Sequence, residues 1–203
     1  MRVLVVGTLP RSIDTAEQRL RDAGHEVVRC TEAGQSAFPC AALTDARGCP
    51  LEVAPVDVVF DARERTEAPH SPFEAGASCA LKRRIPLVTS GAANPFAPWA
   101  VAALGPDEDI VAGCEAAAGS PSAAHGAVAT DAACAALEMA GVVVTAADTR
   151  ATVRRRNGGL HVLLELADSD PALDDMIAVR VVSAVRAFDS GATGIDVSIT
   201  RRP

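Results

Sequence analysis

VDVVFDAR, residues 56–63, is an apolar run that ends on an acid and a base. Strands buried on both faces of a parallel sheet read as unbroken apolar runs, and ligands of open α/β sheets collect beyond the carboxyl ends of such strands. The stretch is therefore read as a central strand with Asp61 and Arg63 at its functional end. Working outward, residues 2–6 form a short apolar run closed by Gly7, which marks the first strand. A helix follows, capped by Ser12 or Asp14, with Ile13, Ala16, Leu20 and Ala23 at helical spacing and Gly24 as its left-handed stop. Residues 25–29 give a second strand, 56–60 the third, 74–84 a second helix and 86–89 a fourth strand before the turn at Gly91. Such alternation implies right-handed crossovers and a parallel sheet in the order 2-1-3-4, an α/β flavodoxin-like domain over residues 1–105.

At 203 residues and 49% hydrophobic, the chain has enough apolar mass for two small domains. A net charge of −7 argues against general affinity for nucleic acid or anionic lipid, both of which select an excess of positive charge. With no Tyr and only 3% aromatic residues, stacking platforms for single-stranded bases are scarce as well. No apolar run is long enough for a signal peptide core or a bilayer span, so the expectation is a cytoplasmic protein with reduced thiols.

With the strands so placed, Thr8, Ser12, Asp61, Arg63, Thr89, Ser90 and Asn94 fall on one rim. Their types suit a small anionic ligand, held bidentately by Arg63 and by hydroxyls and amides near the first helix start. The bland alternative is that loop hydroxyls and acids after strands act as caps and turn formers. Neither a dinucleotide fingerprint nor a P-loop is present, since GTLPRS at residues 7–12 has one glycine and then a proline.

This half resembles the receiver domains of two-component signalling. Asp61 falls where their phosphoacceptor closes the third strand, and Thr89 where their switch hydroxyl closes the fourth. The resemblance implies a regulatory role. Against phosphoryl transfer stand Gly7, Thr8 and Leu9, which occupy the place of the receivers' magnesium-holding acidic pair, and the want of a recognisable fifth strand with its lysine.

Residues 30–55 make a connection too long for an ordinary α/β turn and are read as an insertion. Cys30, Cys40 and Cys49 lie on it and Cys79 on the following helix. Soft thiolates in that number could close a zinc or iron–sulfur site or form a redox pair, although no two are spaced like a zinc knuckle. The plainer reading is reduced thiols used as small hydrophobes. Downstream, Phe96 and Trp99 in a Pro-rich loop are expected to plug the core.

The second domain, residues 106–203, begins with Pro106 at a first helical position, followed by Asp107, Glu108 and Asp109. An alanine-rich helix runs to about Met139, and the period then changes to two. A strand is expected over 142–145, then a hairpin of 151–156 with 160–166 across Asn157 and Gly158, which sets Val153 opposite Val162 and Arg154 opposite His161. Arg154, Arg155 and Arg156 then read as a solvated hairpin tip that discourages edge pairing and, secondarily, as a phosphate-binding patch. Asp170 and Pro171 start a helix with a stripe of Leu173, Ile177, Val181, Ala184 and Phe188, and Ile195, Val197 and Ile199 alternate along a closing strand. This α-β-β-β-α-β layout resembles the small domain of the alkaline shock protein family, which implies assembly without catalysis.

The function expected is a non-enzymatic regulatory or scaffold protein that senses a small ligand with one half and associates, as a homodimer or with a protein partner, through the other. An enzyme with Asp61 as acid or base, Arg63 as clamp and Thr89 or Ser90 as donors is the first alternative. A thiol-based metal or redox sensor is the second. None of His25, His70, His125 and His161 has a Ser, Cys or carboxylate at a spacing diagnostic of a catalytic triad.

Overall fold

The computed structural model describes the chain except residues 33–34, 45–47, 64–70, 92, 145–147, 157–158, 168 and 203. Two compact units divide it, residues 1–118 and 119–203. In the first, the elements are β1 (Arg2–Gly7), α1 (Pro10–Asp22), β2 (Glu26–Arg29), the single turns α2 (Ala41–Thr44) and α3 (Pro50–Val53), β3 (Val58–Ala62), α4 (Ala75–Lys82), β4 (Leu87–Ser90), β5 (Ala102–Leu104) and α5 (Ile110–Gly119). The five strands are parallel, in the order β2-β1-β3-β4-β5. That order is the doubly wound flavodoxin-like arrangement, with its switch point between β1 and β3.

Alternation along the strands divides the core in two. Val3, Val5, Val58, Phe60, Ala62 and Val88 face α1 and α5, whose Ala16, Leu20, Cys114 and Ala117 are buried against them. Leu4, Val6, Val59 and Leu87 face the other way, onto Ala77 and Ala80 of α4 and onto Phe96. Both faces are covered, which is why the strands lack the polar alternation of a one-sided sheet.

Several expectations are corrected. A fifth strand exists, but its three residues are too few to show a pattern. Helix α1 starts at Pro10 rather than being capped by Ser12 or Asp14, because proline at a first helical position has no amide to lose. Helix α5 begins at Ile110, with Asp109 Oδ1 accepting from Val111 N at 2.9 Å, so Pro106 precedes the helix instead of opening it. Cys114 and Ala117 of α5 fill the first core, and the compact units divide after residue 118. Phe96 is buried as expected, but Trp99 is 64% exposed.

The second unit comprises α6 (Ala123–Met139), β6 (Thr149–Arg156), β7 (Gly159–Leu166), α7 (Asp174–Phe188) and β8 (Ile195–Arg201). Its sheet has the order β6-β7-β8, antiparallel between β6 and β7 and parallel between β7 and β8. The register is the expected one, with Val153 opposite Val162, Ala151 opposite Leu164 and Arg154 opposite His161. The turn at Asn157 and Gly158 lies outside the described residues. Val153, Val162 and Leu164 bury one face of the sheet under α6 and α7 through Ala129, Ala133, Ile177 and Val181. Val142–Val144 form no strand: Val142 N is drawn into the helix end by Leu137 O at 3.0 Å, and Val143 is 96% exposed. Thr145, the last residue of the expected strand, lies outside the described residues, and among those described the layout is α-β-β-α-β. Among the described residues no helix is long and apolar enough to cross a membrane.

At the switch point, β1 and β3 run so close that a Cβ on Gly7 would lie 2.2 Å from the carbonyl oxygen of Ala62. No side chain fits without moving one strand. Gly7→Ala is expected to lower stability by about 1–3 kcal/mol, as overpacking does, measured by urea denaturation; a change within about 0.5 kcal/mol, the range of surface substitutions, would show that the strands are not this close.

Candidate functional site

The carboxyl ends of β1, β3, β4 and β5 form the edge where a sheet of this topology places its ligands. In-register pairing of Asp61 with Thr89 puts both side chains on the α4 side of the sheet, and both are fully buried. Asn94 Nδ2 donates to Asp61 Oδ2 at 2.8 Å, while Asn94 Oδ1 accepts from Phe96 N at 2.8 Å. Thr89 Oγ1 is buried with no hydrogen-bond partner among the described residues. An aspartate enclosed in this way holds the loop after β4 to the sheet.

Arg63 has a partner that sequence reasoning missed. Its guanidinium meets Glu74 side-on, with Nε donating to Oε1 and the second donor 2.7 Å from Oε2, and both side chains are buried. Glu74 Oε2 also accepts from Ser71 N at 2.8 Å. A bidentate hold on a ligand anion would therefore have to displace an internal carboxylate at the cost of several kcal/mol. The signal is present as Ser71-x-x-Glu74, a capping-box spacing, but it says nothing of Arg63.

On the opposite side of the sheet lies a cavity of about 480 Å³, with Phe60, Ala62, Leu104 and Ile110 as its apolar wall and Ser12, Thr15, Arg19, Ser90 and Glu108 at its rim. Of the seven expected rim residues, Ser12, Arg63 and Ser90 line it, while Thr8, Asp61, Thr89 and Asn94 do not. The hydroxyls are partly committed: Ser12 Oγ donates to Leu9 O at 2.9 Å, and Ser90 Oγ accepts from Arg63 N at 3.1 Å. A larger groove of about 670 Å³ runs along β2, but its charged walls are paired internally, with Arg29 donating to Asp14 at 2.7 Å and to Glu17.

The four N-terminal thiols converge on the α4 side. Cys30 and Cys49 pack on the same core patch, and an ideal Cβ on Gly76 of α4 would lie 3.0 Å from Cys30 Sγ. Cys79 stands one turn along that helix, exposed, and Cys40 is exposed as well. Burial pushes the Cys30 thiol up to about 12, with smaller pushes from nearby Cys49, Cys79 and Cys40. Among the described residues no three His, Cys, Asp or Glu side chains are arranged to hold a metal ion. Metal binding through Cys30 would also require deprotonating a thiol that burial disfavours as a thiolate. Burial likewise pushes Cys114 up to about 12. Alkylation with iodoacetamide at mildly alkaline pH, followed by peptide mass spectrometry, is expected to modify exposed Cys40 first and Cys30 and Cys114 at least about tenfold more slowly, since the thiolate is the reacting species; equal rates would contradict this burial pattern.

In the second unit, His125 is buried between two polar groups, with Nδ1 2.6 Å from Ser122 Oγ and Nε2 3.0 Å from Asp189 Oδ2. Asp189 also accepts from Arg155 and, through Oδ1, from Gly191 N at 3.1 Å. Arg155 is thus drawn inward and is not part of a solvated tip; its side chain is 7% exposed. The Ser–His–Asp sequence has the members of a triad, but Arg155 neutralises the carboxylate that would have to support an imidazolium. It reads as a brace joining the start of α6, the end of α7 and the hairpin. Sequence reasoning missed it because Ser122 and His125 lie in another part of the chain from Asp189.

Burial alone would raise the Asp189 carboxyl, but the His125 hydrogen bond and the Arg155 guanidinium outweigh it and hold the group below its ordinary value of 3.8. A depressed acid stabilises the fold above its unfolded pKa and loses that contribution as pH falls through the folded value. Asp189→Asn is expected to cost about 3 kcal/mol at neutral pH, and the gap to the parent protein is expected to narrow in urea titrations taken from about pH 5 downward. A pH-independent gap would remove the ionic role.

No family model matches the sequence, and no curated protein matches it. Among solved structures, a CheY-like response regulator receiver domain protein from Methanospirillum hungatei JF-1 is 16% identical with a TM-score of 0.34, over 58% of this chain and 90% of that one. A response regulator from Desulfuromonas acetoxidans is 13% identical with a TM-score of 0.31, over 55% and 88%. A point variant of Aquifex aeolicus Era bound to GDP.AlF4- is 9% identical with a TM-score of 0.30, over 100% and 93%. Likeness at this level carries no functional argument.

Proposed function

We propose that the chain is a non-enzymatic regulatory protein whose α/β unit holds a small molecule in the cavity over the strand ends, and whose C-terminal unit is an association module. The observation that carries this reading is the division of labour across the sheet. The groups with catalytic chemistry, Asp61 and Arg63, are engaged inside the protein by Asn94 and Glu74, and Asp61 and Thr89 do not line the cavity. An enzyme using them as acid and donor would need both at that wall. A phosphoacceptor role for Asp61 meets the same obstacle, for its side chain has no exposure. The single lysine of the chain, Lys82, sits on α4, so the end of β5 carries none.

The cavity's chemistry favours a ligand with an apolar body and one or two polar groups over the small anion expected from the sequence, because Phe60, Ala62, Leu104 and Ile110 form its wall, Arg63 already has Glu74 and the other cation, Arg19, stands at the exposed rim. The resemblance of the second unit to the alkaline shock protein family now rests on an α-β-β-α-β layout, one strand fewer than expected. Its contribution is the association role alone.

Thr15 lines the cavity from the exposed side of α1, so Thr15→Trp fills the space without touching the core. In ligand-observed NMR with a library of amphipathic fragments, the parent protein is expected to bind a subset saturably and Thr15→Trp to lose them at least about tenfold. Binding that survives Thr15→Trp, or a library without hits, would sink the cavity reading.

A further inference from the structure

The two edges of the C-terminal sheet are treated differently. The outer edge of β6 is closed by α6: Ser122 N donates to Val153 O at 2.8 Å, and Ala151 N donates to Thr130 Oγ1 at 3.1 Å. The helix comes so near that a Cβ on Gly126 would lie 2.9 Å from Ala151 O. A strand adding there would have to break both bonds and displace the helix.

Among the described residues the outer edge of β8 is open. Leu160 N donates to Gly194 O and Arg202 N to Leu166 O, each at 2.8 Å, so even-numbered residues address β7. By the alternation of a strand, the backbone N–H and C=O groups of Ile195, Val197, Ile199 and Arg201 point away from it. Residues 195–201 read IDVSITR, with no proline, no glycine and no lysine; the two charges are Asp196 and Arg201 near its ends, and Arg201 is tied to Asp174, which leaves the centre of the strand, Val197–Ile199, without a charge to blunt it. Ile195, Val197 and Ile199 pack on the core yet stay partly exposed.

The edge is complementary to itself. In an antiparallel pair centred on Ser198, Val197 faces Ile199 of the second copy, Asp196 faces Thr200, and Ile195 lies against the aliphatic stem of Arg201. Apolar residues meet on the helix-covered face, Asp196 never meets its own copy, and the outward backbone groups fall opposite one another for about eight hydrogen bonds. We propose that the chain forms a two-fold dimer by antiparallel pairing of β8 with β8 of a second copy, joining three strands from each into one continuous sheet. This rests on the association role assigned to the unit above and adds the partner and the surface.

Ser198 is exposed and sits on the symmetry axis, so a charge there meets itself without disturbing the monomer. Sedimentation of the full chain is expected to give a dimer mass for the parent, half that mass for Ser198→Glu, and the dimer mass again when Ser198→Glu is mixed with Ser198→Lys. Circular dichroism checks that each variant is folded, and amide exchange at Val197 and Ile199 is expected to be at least about tenfold slower in the dimer. A monomeric parent would overturn the pairing and leave ligand binding in the cavity untouched. A Ser198→Glu protein that stays dimeric would overturn β8 as the surface while leaving the association role standing.

Discussion

The first unit depends on the parallel pairing of β1 with β3, in register from Val3 and Val58 to Gly7 and Ala62. Because side chains alternate, that single register decides which face each residue at the strand ends can reach. It sends Phe60 and Ala62 toward α1 and α5 and Asp61 toward α4. A slip of one position would exchange them, exposing an acid at the cavity wall and burying the wall's apolar lining elsewhere. The chemistry of the edge is therefore a consequence of backbone registry before it is a matter of which residues are present.

Much of this is legible in the sequence. The long apolar runs of β1 and β3 carry their own identity, and a hairpin register follows from two alternating strands and a two-residue connection. What stays hidden is contact between distant residues. Periodicity places Arg63 at a strand end, but only the fold brings Glu74 beside it, so an ion pair reads as a ligand clamp. Likewise β5 is shorter than one period of any useful pattern, and Val142–Val144 has the composition of a strand with no neighbour to pair with. Which core helix α5 joins is not legible either, because a run of Pro and acidic residues before a helix looks alike whichever core the helix later packs on.

Each unit contains a buried ionic knot, Arg63 with Glu74 in the first and Asp189 with Arg155 and His125 in the second. Buried pairs gain little net stability over apolar packing, since desolvation offsets most of the attraction, but losing one partner is costly. Both knots join segments that have no regular pairing with each other: the end of β3 with the turn before α4, and the hairpin with the ends of α6 and α7. Their effect is to fix which loops lie together.

The closure of β6 by α6 limits how far any assembly through this sheet can go. A sheet with two bare edges recruits copies from both sides and grows without limit, as fibrils do. With one side sealed by Thr130 and the close passage of Gly126, addition at the remaining side exhausts the available hydrogen bonds. Growth through this sheet therefore stops at the pair, and β8 can stay unguarded without templating a longer assembly through its own sheet.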